Sequence, residues 1–337
     1  MKRLLAYVMV HRSAKKDVDL SRLEERQTPT GSSFFNDSFY FCGRDASGTS
    51  LVFRLGLRPQ QRTELWCDLI VPGLGRFRAL SVEATDAGRI AHAGLAFECV
   101  EPGRVWKITY AGSMETPERA AKVDFELLFQ ADAPIVDFGV HGDSWSLAGY
   151  LAGQKWTRAW FEKLKDLSQV HYEQGGTLNG IIRVEGKTRE VSLPAVRDHS
   201  FGPRNWKAMR RHVWLMALLE DGSHVNLSLV SYDFLPYMHS GYRIAKDRIE
   251  PVTRAPRFED LPAKNTQGSS FDCSFRVGKS ETLILRCRVD DLLEYTMDGA
   301  YDFFEGLATF SLGSLKGTGI CEFGHAHDEN VIHHSAR

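Results

Sequence analysis

The chain has 337 residues, 43 % of them hydrophobic, and carries 42 lysines and arginines against 43 aspartates and glutamates. That length fits two domains of ordinary size, each with its own core. The balanced charge argues against a bulk electrostatic partner such as duplex nucleic acid or an anionic membrane surface, leaving only a local patch open.

The N-terminus, Met1-Lys2-Arg3 followed by an apolar run over 4–10, imitates a signal peptide. The run is short and leads into His11, Arg12, Lys15 and Lys16 with no small-residue cleavage site, so a first β-strand is expected there. No stretch approaches the eighteen or more apolar residues of a membrane span, and none is expected. Six cysteines, Cys42, Cys67, Cys99, Cys273, Cys287 and Cys321, are scattered without a C-x-x-C pair. They read as reduced, mostly buried thiols of a cytoplasmic protein.

From Phe34 the chain becomes a series of short β segments separated by turn residues. Segments 38–43 and 50–57 flank Asp45-Ala46-Ser47-Gly48; 64–71 and 76–82 flank Pro72-Gly73-Leu74-Gly75; 94–100 and 104–110 flank Glu101-Pro102-Gly103. A Gly or Pro turn every eight to twelve residues is the pattern of an antiparallel meander, closed as a barrel or folded as a sandwich. Between 152 and 167 the apolar residues Trp156, Trp160, Phe161, Leu164 and Leu167 recur at helical spacing, with Lys155, Arg158, Lys163 and Lys165 on other faces. One amphipathic helix is expected here, packed on a core in preference to lying on a membrane surface. The boundary is placed just after it, giving domains 1–168 and 169–324 and a frayed tail 325–337.

The β pattern resumes at 177–184 and 188–193. A hairpin follows, 211–219 with 224–232 about Asp221-Gly222, a dipeptide that favours a two-residue type I′ turn. That turn sets Trp214 opposite Leu229, Met216 opposite Leu227 and Leu218 opposite Val225 on one apolar face. Further strands at 270–277, 282–289, 303–312 and 315–323 complete a second unit.

The densest chemistry lies at Arg197-Asp198-His199-Ser200-Phe201-Gly202-Pro203-Arg204-Asn205-Trp206, with His171-Tyr172-Glu173-Gln174 upstream. Pro203 fixes its own φ and biases Gly202 toward extended backbone, so Phe-Gly-Pro is read as a stiff bend between strands. In extended chain Asp198 points opposite to Arg197 and His199 and shares a side with Ser200. Arg204, Arg210 and Arg211 are near enough in sequence to pair with it.

Together with Gly180, and with Gly317-x-Gly319 followed by Glu322, these two segments resemble the signature of the AttH-like family, relatives of hydroxyneurosporene synthase (carotenoid 1,2-hydratase). The resemblance implies an all-β protein of two tandem lipocalin-like antiparallel barrels, with the amphipathic helix between them. It also implies an apolar pocket near their junction for a hydrophobic, isoprenoid or lipid-like molecule. In the hydratases an aspartate matching Asp198 protonates a double bond and water captures the cation. That role requires burial to keep a carboxyl protonated, with aromatic faces such as Trp206, Trp214, Tyr232, Tyr237 and Tyr242 to stabilise the cation. Val196 stands where the hydratases carry a tyrosine.

On this reading Asp198 is the general acid, and Glu173 or His171 handles the water proton. Arg197, His199, Arg204, Trp206, Tyr172 and Trp214 form the substrate-binding set, and no cofactor is needed. Two readings from other classes stand beside it. The same residues fix a ligand's head group in a non-catalytic carrier, or the chain resembles an accessory domain of a phosphoenolpyruvate-synthase-like phosphotransferase and acts with that partner. Asp198 is open to a structural role in a buried ion pair.

The remaining motifs carry less. Gly142-Asp143-Ser144-Trp145 and Asp221-Gly222-Ser223-His224 look like serine-hydrolase blocks but sit in a β meander. The histidines at 325, 327, 333 and 334 lie on the tail, and no metal-ligand set is assigned. Nucleotide-binding loops are absent from the sequence.

Overall fold

A computed structural model describes residues 1–13, 20–29, 31–59, 62–84, 89–165, 167, 169–279 and 282–327. The architecture is all-β, in two compact units that interleave in sequence. One comprises Lys16–Asp137 and Leu167–Arg204; the other comprises Met1–Lys15, Phe138–Asp166 and Asn205–Arg337. The boundary expected at Ser168 is therefore corrected. The strands just after it complete the first sheet, and the change of unit falls between Arg204 and Asn205.

The first unit is an open, curled antiparallel sheet. Its strands are β1 (Phe35–Arg44), β2 (Ser50–Leu57), β3 (Arg62–Val71), β4 (Gly75–Ala84), β5 (Ala91–His92), β6 (Leu95–Glu101), β7 (Val105–Met114), β8 (Ala121–Ala131), β9 (Val136–Asp137), β10 (Val170–Val184) and β11 (Lys187–Pro203). They run in the order β4-β3-β2-β1-β11-β10-β8-β7-β6-β5, with β9 added to β10. An isolated bridge from Arg78 to Glu115 draws β4 toward the chain after β7. One face holds the core, where Phe41 meets Phe97, Trp106 and Phe129 edge-on at 5.0–5.8 Å. Strand β8 shows the ordinary alternation of buried and exposed residues. Strands β1 and β2 are buried along their whole length, polar residues included, so both of their faces are covered.

The second unit is a closed eight-stranded barrel: β12 (Met209–Leu219), β13 (His224–Tyr232), β14 (Leu235–Ala245), β15 (Arg248–Arg254), β16 (Ser270–Val277), β17 (Leu283–Met297), β18 (Tyr301–Leu312) and β19 (Leu315–Ala326), with β19 returning to β12. Closure depends on two glycines of the Gly317-x-Gly319 segment. A Cβ at Gly317 would stand 2.2 Å from the Leu218 carbonyl oxygen, and one at Gly319, whose φ is +156°, 1.9 Å from that of Met216. Residues 325 and 326, expected in the tail, are strand because β19 runs to Ala326, and residues 328–337, with His333 and His334, lie outside the described residues.

The hairpin about Asp221-Gly222 forms one residue out of the expected register. Leu219 pairs with Ser223, and Gly222 takes a positive φ of +77°, so the loop has three residues and ends in a left-handed glycine. Trp214 consequently faces Ser228, and Leu215 faces Leu227. The barrel interior receives Val213, Leu215, Ala217 and Leu219, while Trp214, Met216 and Leu218 point to the other face, because a slip of one residue inverts every side chain.

The described residues also include five α-helical segments: α1 (Lys2–Ser13), α2 (Leu20–Leu23), α3 (Phe138–His141), α4 (Ser144–Gly153) and α5 (Arg158–Lys165). Helix α1 replaces the expected first strand; its apolar run is too short for periodicity to separate the two. Helices α4 and α5 replace the single helix expected over 152–167, and both belong to the barrel unit. Asp143 caps α4 by accepting from Ser146 N at 2.9 Å, which accounts for the Gly-Asp-Ser-Trp block, and Thr157 Oγ1 accepts from Trp160 N at 3.1 Å to start α5.

Candidate functional site

The Arg197 element is strand. Strand β11 runs through Phe201-Gly202-Pro203, where a bend was expected, and pairs Gly202 with Asn36 and Pro203 with Phe35. Proline is tolerated because it is the last residue of the ladder. Strand alternation then divides the motif between two sides of one sheet. His171, Glu173, Asp198 and Ser200 share one face with Ser38 and Tyr40; Tyr172, Gln174, Arg197 and His199 share the other with Phe39 and Phe41. Asp198 points away from Arg197 and His199 and lies on the side of Ser200, as extended geometry requires.

On the core side every polar group is answered. Arg197, 2 % exposed, makes a bidentate bridge to Glu24 at 2.7 and 3.1 Å and donates from Nε to Gln174 Oε1 at 2.9 Å. Trp106 Nε1 donates to the same carboxylate at 2.6 Å. His199 stacks on Phe39 at 3.9 Å, and its Nε2 lies 2.7 Å from Asp37 Oδ1. The Tyr172 hydroxyl donates to the Leu23 carbonyl at 3.0 Å and lies 2.8 Å from His199 Nδ1. Burial, with Glu24 adding to it, pushes the Tyr172 phenol far above its ordinary range. This network ties the segment around Leu23, Glu24 and Gln27 to β1, β10 and β11.

The opposite face holds the candidate site. Glu173 is fully buried, and His171 and Asp198 keep 29 % and 15 % of their side-chain surface. The imidazole Nε2 of His171 contacts Asp198 Oδ2 and lies 3.6 Å from Glu173 Oε1. Burial pulls the His171 pKa down, but the two carboxylates outweigh both that and nearby Arg204, so the pKa stands above the usual 6.5. Arg204 donates to Gln169 Oε1 at 2.8 and 2.6 Å and to Ser200 Oγ at 3.3 Å. Further along the face Arg54 donates to Ser38 and Glu64, Arg58 joins Glu64, and Arg54 lies over the Trp66 ring at 4.6 Å.

Of the nine residues expected from sequence, the fold thus brings together His171, Glu173 and Asp198 with Arg204 beside them. It sets Tyr172, Arg197 and His199 on the reverse of the sheet. Trp206 and Trp214 belong to the barrel unit, where Trp206 packs on Tyr301 and Phe303. Arg210 and Arg211, weighed as partners of Asp198, bond elsewhere, to Asp233 and to the carbonyls of Phe258 and Pro262. Sequence reading missed Tyr40, Arg54, Glu64 and Trp66; the signal for them was charge inside otherwise apolar strands. It also assigned no ligand set for a metal, yet His171, Glu173 and Asp198 offer one atom each within 4.8 Å of one another. A divalent cation there would have to displace the imidazole proton and tolerate Arg204.

The chain belongs to the family described as a domain of unknown function (DUF7064), whose model matches residues 21–327. Two solved structures share its fold. An AttH-like protein of Nitrosomonas europaea is 14 % identical, with a TM-score of 0.58 over 89 % of this chain and 97 % of its own. Kievitone hydratase of Nectria haematococca is 12 % identical, with a TM-score of 0.52 over 93 % and 97 %. No curated protein matches the chain by sequence. The fold expected from the AttH-like resemblance is therefore the fold observed.

Proposed function

We propose that this protein binds a hydrophobic small molecule and adds or removes water at one of its double bonds by proton transfer at the His171–Asp198 pair. The observation that carries the reading is an imidazole of raised pKa in contact with a carboxylate at the accessible edge of an otherwise buried charged cluster. In the hydration direction the shared proton passes from Asp198 to an alkene carbon, leaving a cation. A water oxygen bonds to that cation, and its surplus proton passes to Glu173; His171 returns a proton to Asp198 and is reprotonated by Glu173, 3.6 Å from its Nε2, so that the site is reset. The aromatic faces of Tyr40 and Trp66 lie on the same side of the sheet as this chemistry. A fold shared with a protein named a hydratase supports the reading, and no cofactor enters it.

The test is mass spectrometry of an isoprenoid-containing lipid extract before and after incubation with the purified protein. A species gaining or losing one water, with turnover reduced about 10²–10⁴-fold in Asp198→Asn, is the expected result. A species bound and released unchanged would transfer the same residues to a carrier role. The phosphotransferase-accessory reading rests on the sequence resemblance alone.

A further inference from the structure

Within the barrel unit, the ladder between β15 and β16 ends where Arg254 meets Arg276, one step past a bulge. Beyond that point the chain leaves the sheet through 255–257 into a 3₁₀ turn, Phe258–Asp260. A cavity of about 470 Å³ opens between this segment and β16. Residues 254–257 and Asp260 line one side of it, and Asp272, Ser274, Phe275 and Thr282 line the other. Its size is that of a small-molecule site.

Positive charge collects at this opening without an answer. Arg254 and Arg276 stand directly opposite each other in the ladder and share a face with Ser274 and Asp272, a like-charge placement that costs stability. Neither forms an ion pair among the described residues, and Arg276 Nε is shielded from solvent with no hydrogen-bond partner among them. The nearby acids are engaged elsewhere. Asp272 takes a bidentate bridge from Arg286 at 2.9 and 3.0 Å, Asp260 accepts from the Arg257 N–H at 3.0 Å, and the Arg257 guanidinium lies 3.5 Å from Glu259. The backbone adds a donor: Gly278 N donates to Pro251 O, so alternation along β16 turns the Ser274 N–H to the same side, past the end of the ladder. Pro256 and Phe275 are buried and, with Ala255, supply apolar surface. We infer that this cavity binds a small phosphate monoester, the phosphate held between Arg254 and Arg276 and the organic part resting on Ala255, Pro256 and Phe275. A phosphate group brings three acceptor oxygens and a charge of about −1.5 to −2, which answers both guanidinium groups where a carboxylate would answer one. This binding is independent of the proton chemistry at His171.

The test is titration of the full chain with phenyl phosphate, inorganic phosphate and benzoate, followed by calorimetry at low salt and by the amide NMR resonances of Ser274 and Thr282. Phenyl phosphate should bind at least about tenfold more tightly than either other probe and move both resonances. Arg254→Gln/Arg276→Gln should weaken it at least about tenfold. Without ligand the same variant should melt at or above the wild-type temperature, since two opposed like charges are gone. Arg248→Gln, an exposed arginine at the far end of β15, should leave binding unchanged. Absence of phenyl phosphate binding, binding that survives Arg254→Gln/Arg276→Gln, or equal affinity for the three probes overturns the inference. If the double variant melts lower, the wild-type resonances decide alone: Ser274 and Thr282 unmoved by phenyl phosphate overturn it. Phosphatidic acid in phosphatidylcholine vesicles presents the same group on a surface, and binding to it with none to phenyl phosphate would assign a lipid headgroup and overturn the small-molecule site.

Discussion

The bridge between Glu24 and Arg197 offers the sharpest check on how the site strands are held. Glu24→Gln keeps the shape of the side chain and removes its charge. The Arg197 guanidinium, 2 % exposed, then loses its bidentate partner, and Trp106 Nε1 loses a charged acceptor at 2.6 Å. Removing one member of a buried pair costs about 3–5 kcal/mol, because the remaining charge is stranded away from water. Loss of a single hydrogen bond to a charged group would account for about 1.5–3 kcal/mol. For a unit of this size the expected fall in melting temperature is about 6–20 °C. Urea and thermal unfolding at neutral pH measure it. Glu24→Gln/Arg197→Met, which replaces the stranded cation by an apolar chain, should be more stable than Glu24→Gln alone. A Glu24→Gln variant within about 1 kcal/mol of wild type, or a double variant worse than both singles together, would refute the account of Arg197 as a buried charge held by Glu24.

The remaining predictions concern protonation, backbone and thiols. Since the folded His171 pKa lies above its ordinary 6.5, the protonated ring contributes stability that is complete below that value and fades as the pH rises through the folded pKa. Asp198→Asn should lower the His171 titration followed by NMR and flatten the pH dependence of unfolding over that window; an unchanged titration would separate the two residues. Gly319→Ala places a methyl against the Met216 carbonyl oxygen at the barrel seam and should cost more than about 2 kcal/mol, whereas Gly222→Ala, with open space around it and a φ of +77°, should cost only about 1–2 kcal/mol. Comparable losses at the two sites by urea unfolding would contradict the seam. Among the described residues, which include all six cysteines, there is no disulfide. Burial pushes the Cys67, Cys273 and Cys321 thiols far up, and Cys99, half-buried, is pushed up to about 11. Native alkylation followed by mass spectrometry should therefore mark Cys99 first and leave the other three unlabelled until unfolding.

What could be read without coordinates followed from local rules. Turn residues spaced along 34–110 and 211–323 gave the antiparallel class, and segments 50–57, 224–232 and 270–277 have the expected bounds, because alternation and Gly or Pro punctuation are properties of neighbouring residues. The rule that placed Asp198 opposite Arg197 and His199 is equally local, and it divided the motif correctly. The misses share a different origin. The one-residue error at Asp221-Gly222 arose because a two-residue and a three-residue loop accept the same dipeptide, and closure against β19 decides between them. At the N-terminus, α1 gave no strand because the aromatic rings of Trp145 and Trp156, more than a hundred residues away, receive its basic face.

The sequence by itself determined that the chain is all-β and that Asp198 points away from Arg197 and His199. Only tertiary structure decided that β10 and β11 complete the first sheet across a helical insertion, that Arg197 is answered by Glu24, and that His171 is held between Asp198 and Glu173. Each of these rests on pairing between residues far apart in the chain, and the energy of a buried charge depends on which distant group meets it.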